Sequence, residues 1–322
     1  MVHCLNISAA TFMDPNPANP FDLDVYLRRQ SSVIDEALES YLRKYPGESQ
    51  TIFRALRYGV FPGGKRIRPI LTLAAGEVFG AQPKMMLPFA CAVELIHAYS
   101  LIHDDLPALD NDDLRRGEPT AHKVFGEGMA LLAGDGLLTE AFHVISHPEL
   151  ARDLSAAIVL QVIHELSHAV GVLGLVGGQA FDLEAENKEV DLATVELIHV
   201  RKTGALILAS LRIGAQVGGA RAEELLAISR YGEYLGLAFQ IADDILDAQG
   251  ETASGERAES GHNEENKATY PAVVGIVQAR VRLAELSRLC FDALAPFGPK
   301  AVALRAIAGH VVERAIKSTQ NH

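Results

Sequence analysis

Apolar residues recur every three or four positions along most of this chain, beginning near Phe21. The first segment places Leu27, Ile34, Leu38 and Leu42 on one face of a helix, with polar residues on the other faces. Strict alternation of apolar and polar residues, which is typical of a half-buried strand, never extends beyond a few positions. The pattern therefore predicts an all-α protein. We expect helices at 22–44, 49–59, 66–79, 84–105, 123–146, 149–171, 174–185, 190–217, 222–248, 271–294 and 299–317.

The breaks between these helices fall at clusters of glycine and proline, such as 62–64 and 296–299. No break has the composition of a domain linker, so we expect one domain at 22–322, preceded by a disordered tail at 1–21. The tail lacks the basic and apolar segments of a signal peptide, and Met1 and Met13 are alternative starts. The polar stretch 250–266 lies within the helical series and is interpreted as a mobile loop.

Composition and charge narrow the class of protein. With 48% hydrophobic and 22% charged residues, the chain can bury a large core. The formal net charge of −12 argues against a nucleic-acid partner, because phosphate-backbone affinity depends on clustered Lys and Arg. The three cysteines form no CxxC pair, which favours a reducing, cytoplasmic compartment. The most apolar stretch, 85–102, is interrupted by Pro88, Glu94 and His97, so we expect a buried helix there and no membrane span.

Two acidic clusters each follow an apolar helix: DDLPALD at 104–110 and DDILD at 243–247. Asp243 and Asp247 are four residues apart and share one helical face, where like charges repel. A divalent cation would relieve that repulsion, since magnesium binds one or two carboxylates and completes its shell with water and substrate phosphates. Asp104 and Asp110 are six apart and converge only if the chain leaves the helix, which Pro107 favours.

Acidic runs more commonly form solvated surfaces or helix caps. The apolar segments LIHAYSLIH and LGLAFQIA that precede these two clusters make a solvated surface unexpected. The two clusters together therefore predict a site for magnesium and a diphosphate.

Compact basic groups occur beside turns at 63–69 (GGKRIRP), 114–117 (LRRG) and 201–204 (RKTG). In an acidic protein such groups are suited to hold diphosphates, because guanidinium forks bind phosphate oxygens in pairs and Lys adds a point charge. His97 precedes Asp104 by two helical turns and faces nearly the same direction. It is either a core histidine or a donor to phosphate. The histidines show no HExxH spacing, so no zinc site is expected.

In this order, the motifs GGKRIRP, HAYSLIHDDLPALDNDDLRRG, KTG, FQIADDILD and KATYP resemble those of the trans-prenyl diphosphate synthase family, most closely its bacterial farnesyl diphosphate synthase branch. The match runs from about Asp22 to the C-terminal helix. The resemblance implies a single-domain helical bundle around a deep central cavity, usually a homodimer, with the two aspartate clusters facing each other at the cavity mouth. It also implies a reaction that joins isopentenyl diphosphate to an allylic diphosphate, dimethylallyl or geranyl diphosphate.

Site residues follow from the resemblance by motif position. The implied magnesium ligands are Asp104, Asp110 and Asp243, with weaker contributions from Asp105, Asp244 and Asp247, and three ions are expected with substrate bound. The implied isopentenyl diphosphate site is Lys65, Arg68, His97 and Arg116. The implied allylic diphosphate clamps are Arg115, Lys202, Arg257 and Lys267. Thr203 and Gln240 are implied to stabilise the carbocation, and Gln179 and Asp182 lie in a stretch that the family shares near the site.

Two features bear on activity and product. The loop before KATYP departs from the family pattern, since His262 stands where an aspartate is usual, which puts loop closure in doubt. Tyr99 lies five residues before Asp104, where the resemblance places an aromatic that limits chain length, while Ser100 leaves the adjacent position open. We therefore expect a fifteen-carbon product, with geranylgeranyl diphosphate as the alternative.

Two other functions share some of these motifs. A class I terpene cyclase also ionises an allylic diphosphate, but its second metal motif mixes Asn, Ser or Thr and Glu, whereas DDILD repeats the first motif. A non-catalytic partner subunit of another synthase would keep the fold, and the altered loop is its only support.

Overall fold

The computed structural model describes residues 21–42, 50–61, 63–249 and 269–317. Apart from Phe21, the predicted tail lies outside the described residues, as does the predicted loop 250–266. The all-α prediction is confirmed. The described helices are α1 (Leu23–Leu42), α2 (Gln50–Val60), α3 (Ile67–Val78), α4 (Pro83–Asp104), α5 (Ala121–Phe125), α6 (Glu127–Ile145), α7 (Ala156–Val170), α8 (Leu175–Ala185), α9 (Leu192–His199), α10 (Ala205–Val217), α11 (Ala222–Asp247), α12 (Tyr270–Val274), α13 (Ile276–Ala293) and α14 (Val302–Lys317).

Shorter elements join these helices. A hairpin of two two-residue strands, β1 (Leu114–Arg115) and β2 (Glu118–Pro119), follows the first aspartate cluster. Turns of 3-10 helix precede α7 at Pro148–Arg152 and α14 at Ala295–Ala301, and a π-helical turn at Val200–Gly204 joins α9 to α10.

Two of the predicted helices are interrupted, and a third is shortened. The predictions at 123–146 and 271–294 are broken by Gly126 and Gly275, which adopt φ angles of 85° and 79° that side-chain-bearing residues rarely reach. The prediction at 149–171 is shortened, because Ser155 caps α7 by accepting a hydrogen bond from the Ile158 amide. The prediction at 190–217 is continuous but contains the π turn.

Helix α4 is the central element, and it packs against α1, α2, α3, α6 and α10. Its apolar residues have no strong sidedness, and Phe89, Leu95 and Ile96 are all buried. A helix that is apolar on all sides is covered on all sides. α11 is the second core helix, and it packs against α10, α13 and α14. The two aspartate clusters therefore come from the carboxyl ends of two core helices.

Three described helical stretches are long and apolar enough to cross a membrane by length and composition alone: 83–104, 127–150 and 156–185. The first is 78% buried within the protein, which fits its place in the core, but the third is only 22% buried. The prediction that no segment spans a membrane stays a prediction. Apolar residues are exposed along α6, α7, the turn that follows α7 and the start of α8, and they include Leu131, Leu132, Leu160, Val172, Leu173 and Val176.

Candidate active site

The first aspartate cluster begins where α4 ends. Asp104 is the last residue of the helix and Asp105 is its C-cap. The chain then turns back, and the Asp110 amide donates to the Asp104 carbonyl at 2.8 Å. The expected departure from the helix around Pro107 is confirmed, and it brings the backbone of Asp110 beside that of Asp104.

Asp105 is buried and bound to Arg115. The Nε of Arg115 donates to Oδ1 of Asp105 at 2.6 Å, and its terminal nitrogen lies 2.6 Å from the same oxygen. Arg115 also approaches Asp112 at 3.6 Å. In this conformation Asp105, an implied magnesium contributor, forms a salt bridge with Arg115, an implied allylic clamp. The salt bridge holds the β1–β2 hairpin against the turn at 104–110.

The second cluster divides into carboxylates with different surroundings. Asp243 lies 3.4 Å from a guanidinium nitrogen of Arg314 on α14, and Arg68 and Lys65 are electrostatic neighbours. Asp244 is buried and points elsewhere: it accepts from the Tyr270 amide at 2.7 Å and from Nε2 of Gln240 at 3.0 Å. Asp247 is exposed at the end of α11. The cluster therefore presents Asp243 to the cationic groups, while Asp244 fixes the local structure.

Lys202 and Thr203 belong to the π turn between α9 and α10. The ammonium of Lys202 donates to Asp182 of α8 at 2.6 Å, and Asp104 and Asp110 are further negative neighbours. The Thr203 hydroxyl donates to Oε1 of Gln240 at 2.8 Å. The turn thus directs Lys202 toward the first cluster and Thr203 toward Gln240, whose side-chain amide binds Asp244.

The close approach of α8 to this turn requires glycine at position 178. A Cβ at Gly178 would lie 2.2 Å from the backbone nitrogen of Lys202. Its neighbour Gln179 has both amide atoms buried without a hydrogen-bond partner among the described residues. A buried amide without partners is costly, so it marks a position where a ligand or water would be accepted.

The four residues implied to bind isopentenyl diphosphate lie together. Arg68 donates to Nε2 of His97 at 3.2 Å, and Arg116 donates to the Gly63 carbonyl in the GGKRIRP turn. Burial, followed by the charge of Arg68, lowers the pKa of His97 well below its usual value. Since a guanidinium can only donate, the neutral ring accepts at Nε2 and carries its proton on Nδ1. Burial also lowers the pKa of Lys65, and Nε of Arg68 is buried without a partner among the described residues.

Burial is the main cause that raises the pKa of both Asp104 and Asp243 to about 6. For Asp104 the charge of Lys202 opposes the shift and Asp110 adds to it, and for Asp243 the charge of Arg314 opposes it and Asp244 adds to it. A nearby cation would favour the ionised forms. Within the described ranges, no three carboxylate, imidazole or thiol groups gather closely enough to hold a metal by themselves. These carboxylates still fit magnesium that arrives with a diphosphate, because that ion needs only one or two protein ligands.

Tyr99 is buried on α4 below the first cluster, and its ring packs edge-on against His103 at 5.7 Å between centroids. Its hydroxyl is buried without a partner among the described residues, and burial raises its pKa to about 12. The Ser100 hydroxyl donates to the His97 carbonyl at 2.9 Å. A cavity of about 730 Å³ lies at the opposite end of α4, against Tyr41, Met85 and Leu150, and is separate from the aspartate clusters.

Three of the site residues predicted from the sequence lie outside the described residues, and two residues that contact the second aspartate cluster were not predicted. The first three are Arg257, His262 and Lys267. The missed residues are Arg314, which contacts Asp243, and His199, whose Nε2 lies 3.3 Å from Asp244. His199 stands three residues before Lys202 in the same segment as the KTG motif, which was the available signal. Arg314 gave none, since it lies 71 residues from its partner.

Comparison with known proteins gives consistent matches. A family model described as Polyprenyl synthetase matches residues 49–290. The farnesyl diphosphate synthase of Geobacillus stearothermophilus is 45% identical over 262 residues, which cover 81% of this chain and 88% of that protein. The geranylgeranyl diphosphate synthase of Cyanophora paradoxa is 40% identical over 303 residues, which cover 94% and 99%. The solved apo structure of an FPP/GFPP synthase from Zymomonas mobilis superimposes with a TM-score of 0.81 at 36% identity, covering 90% of this chain and 98% of that one.

Proposed function

Since the chain belongs to the polyprenyl synthetase family, we propose that it is a magnesium-dependent prenyltransferase that condenses isopentenyl diphosphate with dimethylallyl and then geranyl diphosphate. The observation that carries the proposal is the division of the cationic groups. Lys65, Arg68 and Arg116 are grouped around His97 and Asp243, whereas Lys202 lies beside Asp104 and Asp110. Two cationic groups with different acidic neighbours suit a reaction with two diphosphate substrates. A cyclase, with one diphosphate, needs only one of them.

In the proposed mechanism each side chain has a task that its surroundings support. Lys202 holds the allylic diphosphate, the carboxylates of the first cluster would hold the magnesium that binds it, and Arg68, Arg116 and the Nδ1–H of His97 hold isopentenyl diphosphate. Magnesium, when bound, would neutralise the departing diphosphate and make it a better leaving group. The oxygens of Thr203 and Gln240 lie close together and stabilise the developing allylic cation. The alkene then attacks the allylic carbon, and the released diphosphate accepts the final proton.

We further propose farnesyl diphosphate as the main product, with geranylgeranyl diphosphate as the alternative. The support is the buried ring of Tyr99 below the first cluster. The relatives include synthases named for the fifteen-carbon and for the twenty-carbon product, so the family alone does not decide between them.

A homodimer and a cytoplasmic location are also proposed. The dimer would cover the apolar residues exposed along α6, α7 and the start of α8, several of which are about half exposed or more. Single exposed apolar residues are ordinary, but a contiguous set marks an interaction surface. Cys91 and Cys290 are buried free thiols, which suits a reducing compartment.

The test is a turnover assay of the purified protein with isopentenyl diphosphate, each allylic primer in turn, and magnesium. The prenyl alcohols released by phosphatase would be identified by chain length. A fifteen-carbon alcohol that appears only with magnesium is the expected result. Absence of any condensation would favour the non-catalytic subunit, and a cyclic hydrocarbon made from the primer alone would favour a cyclase.

A further inference from the structure

Arg66 stands between two residues of the proposed isopentenyl diphosphate site, but its side-chain hydrogen bonds go to residues outside that site. Lys65 and Arg68 both have Asp243 as an electrostatic neighbour, and Glu94 is a further one for Arg68. Arg66 instead is bound to two acids, Asp35 and Glu94. The three cations of GGKRIRP therefore have different roles. Lys65 and Arg68 belong to the proposed site, whereas Arg66 is bound in the core.

The guanidinium of Arg66 joins three helices through its three nitrogens. Nε donates to Asp35 of α1 at 2.9 Å, one terminal nitrogen donates to Glu94 of α4 at 2.7 Å, and the other donates to the Val60 carbonyl at the end of α2 at 2.7 Å. The side chains of Arg66 and Glu94 are only 4% and 6% exposed. A charged pair at this depth is stable only when its hydrogen-bonding groups are satisfied.

The backbone of Arg66 is in an unfavourable conformation. It has φ 48° and ψ 34°, in the left-handed region, where a Cβ crowds the following carbonyl. It is also the N-cap of α3, and its carbonyl accepts the first helical hydrogen bond from the Ile70 amide at 3.0 Å. A residue keeps such a conformation when surrounding contacts hold it there. The three hydrogen bonds of the side chain provide that hold.

We propose that Arg66 is a positioning residue for isopentenyl diphosphate, which it does not touch. By holding the left-handed turn before α3, it sets the direction of Lys65 on one side and of Arg68 on the other. Its partner Glu94 lies three residues before His97 on α4, and His97 in turn accepts from Arg68. The Arg66–Glu94 pair thus fixes the distance between the α3 turn and the α4 face that together form the site. This inference rests on the proposed function of that site.

The variants that test it are Arg66→Met and the double variant Arg66→Met/Glu94→Met. The double variant removes both charges together and leaves an apolar contact of similar size, which commonly restores stability. It therefore keeps the test valid if Arg66→Met alone fails to fold. Arg57→Met is the matched control, since Arg57 also pairs with a glutamate between α1 and α2, at 2.5 Å from Glu39, but outside the site.

Steady-state kinetics with each substrate varied in turn and calorimetric binding of isopentenyl diphosphate would be measured beside melting temperatures. We expect both Arg66 variants to raise the KM and the Kd for isopentenyl diphosphate by roughly tenfold, about 1.4 kcal/mol. The allylic KM should change less than about twofold, and Arg57→Met should leave both KM values at the wild-type level. In the double variant the melting temperature should recover while the raised KM persists.

A folded Arg66 variant with wild-type affinity for isopentenyl diphosphate would overturn the inference, as would equal losses for both substrates. Wild-type protein and Arg68→Ala, run in parallel, separate this failure from that of the proposed function. If Arg68→Ala weakens isopentenyl diphosphate and the Arg66 variants do not, only the role of Arg66 is wrong. If the wild-type protein neither binds nor consumes isopentenyl diphosphate, the proposed function itself is wrong, and the inference with it.

Discussion

Asp104 and Asp243 are partly buried acids whose surroundings disfavour the charged form before any cation arrives. Burial raises the pKa of each from 3.8 to about 6, although each has a basic neighbour. The folded state therefore binds protons on these groups more tightly than the unfolded chain does. The stabilisation that results is complete below about pH 4 and is lost as the pH rises through about 6. In metal-free protein near neutral pH, the two ionised carboxylates lower the free energy of unfolding. A bound cation would offset this loss, because it favours the ionised forms.

We predict that Asp104→Asn stabilises the metal-free protein at pH 8, by roughly 3 kcal/mol at most, and that the gain shrinks toward pH 5. The amide removes the charge that burial disfavours, so the benefit should follow the ionisation of Asp104. Thermal unfolding in a chelator across this pH range is the measurement. Asp153→Asn, at an exposed carboxylate, is the control. A gain of the same size at pH 5 and pH 8 would contradict the prediction.

The carboxylates of Asp104 and Asp243 should both be indispensable for turnover. Asp104→Ala and Asp243→Ala are each expected to lower kcat by at least about a hundredfold while the protein stays folded, because each loses a ligand needed mainly in the transition state. Turnover with both allylic primers at saturating magnesium is the measurement, with circular dichroism to verify the fold. Near-normal kcat in either variant would remove that residue from the proposed metal site.

In the proposed function, Tyr99 bears on a different property, the length of the product. We predict that Tyr99→Ala shifts the main product from fifteen carbons to twenty or more, because removal of the ring opens space below the first cluster, while the early condensations continue. Tyr99→Phe is the matched control and should leave the product unchanged, since the hydroxyl has no partner among the described residues. Product analysis by chain length is the measurement. An unchanged length in Tyr99→Ala would mean that another residue forms the floor.

Among the elements, the π turn at Val200–Gly204 is held in place by a helix contact that leaves no room for a Cβ atom. The approach of α8 at Gly178 is so close that any Cβ there meets the Lys202 backbone, which cannot move aside as a flexible side chain could. The position of Lys202 and Thr203 therefore depends on a residue that carries no chemistry of its own.

We predict that Gly178→Ala lowers stability and reduces kcat by roughly tenfold or more, because α8 must move away from the turn and take Asp182 away from Lys202. Gly309→Ala is the control. Gly309 is a buried residue of α14, and no atom of the described residues lies within 4 Å of a Cβ at this position, so alanine should be neutral or should stabilise by roughly 0.5–1 kcal/mol. Unfolding curves and steady-state kinetics are the measurements. Wild-type kinetics in Gly178→Ala would show that the position of Lys202 and Thr203 does not depend on glycine at position 178.

The elements also show where sequence reasoning succeeds. The ends of α3, α4 and α11 were predicted within about two residues, because continuous apolar periodicity and flanking Gly, Pro or Asp residues mark them. The breaks at Gly126 and Gly275 were missed, since a lone glycine is also tolerated inside helices. The π turn has no distinct pattern in the sequence. The Arg66 contacts to Asp35 and Glu94 were missed because they join residues 31 and 28 positions apart. The motifs therefore indicated which residues carry charge, but not which of them face the site.

At the scale of the whole molecule, the proposed dimer can be tested through one exposed residue. Leu160 on α7 is 67% exposed, and Val277 on α13 is equally exposed on another helix. We predict that Leu160→Asp converts a dimer to a monomer, because it places a charge in the apolar contact, while Val277→Asp leaves the dimer intact. Light scattering after size exclusion is the measurement. A monomeric wild-type protein would contradict the dimer, and flotation with lipid vesicles would then show whether a membrane covers this face.

The π turn between α9 and α10 also has an evolutionary consequence. Each of its hydrogen bonds spans one residue more than an α-helical bond does, so the segment accommodates one residue that a regular helix would not need. Deletion of a single residue at 200–204 would let the helix become regular and would cost the fold little. It would also remove the turn that directs Lys202 toward Asp182 and Thr203 toward Gln240. A one-residue gap here in an alignment of homologues would therefore separate proteins that share this architecture but have lost its chemistry, even where every aspartate is retained.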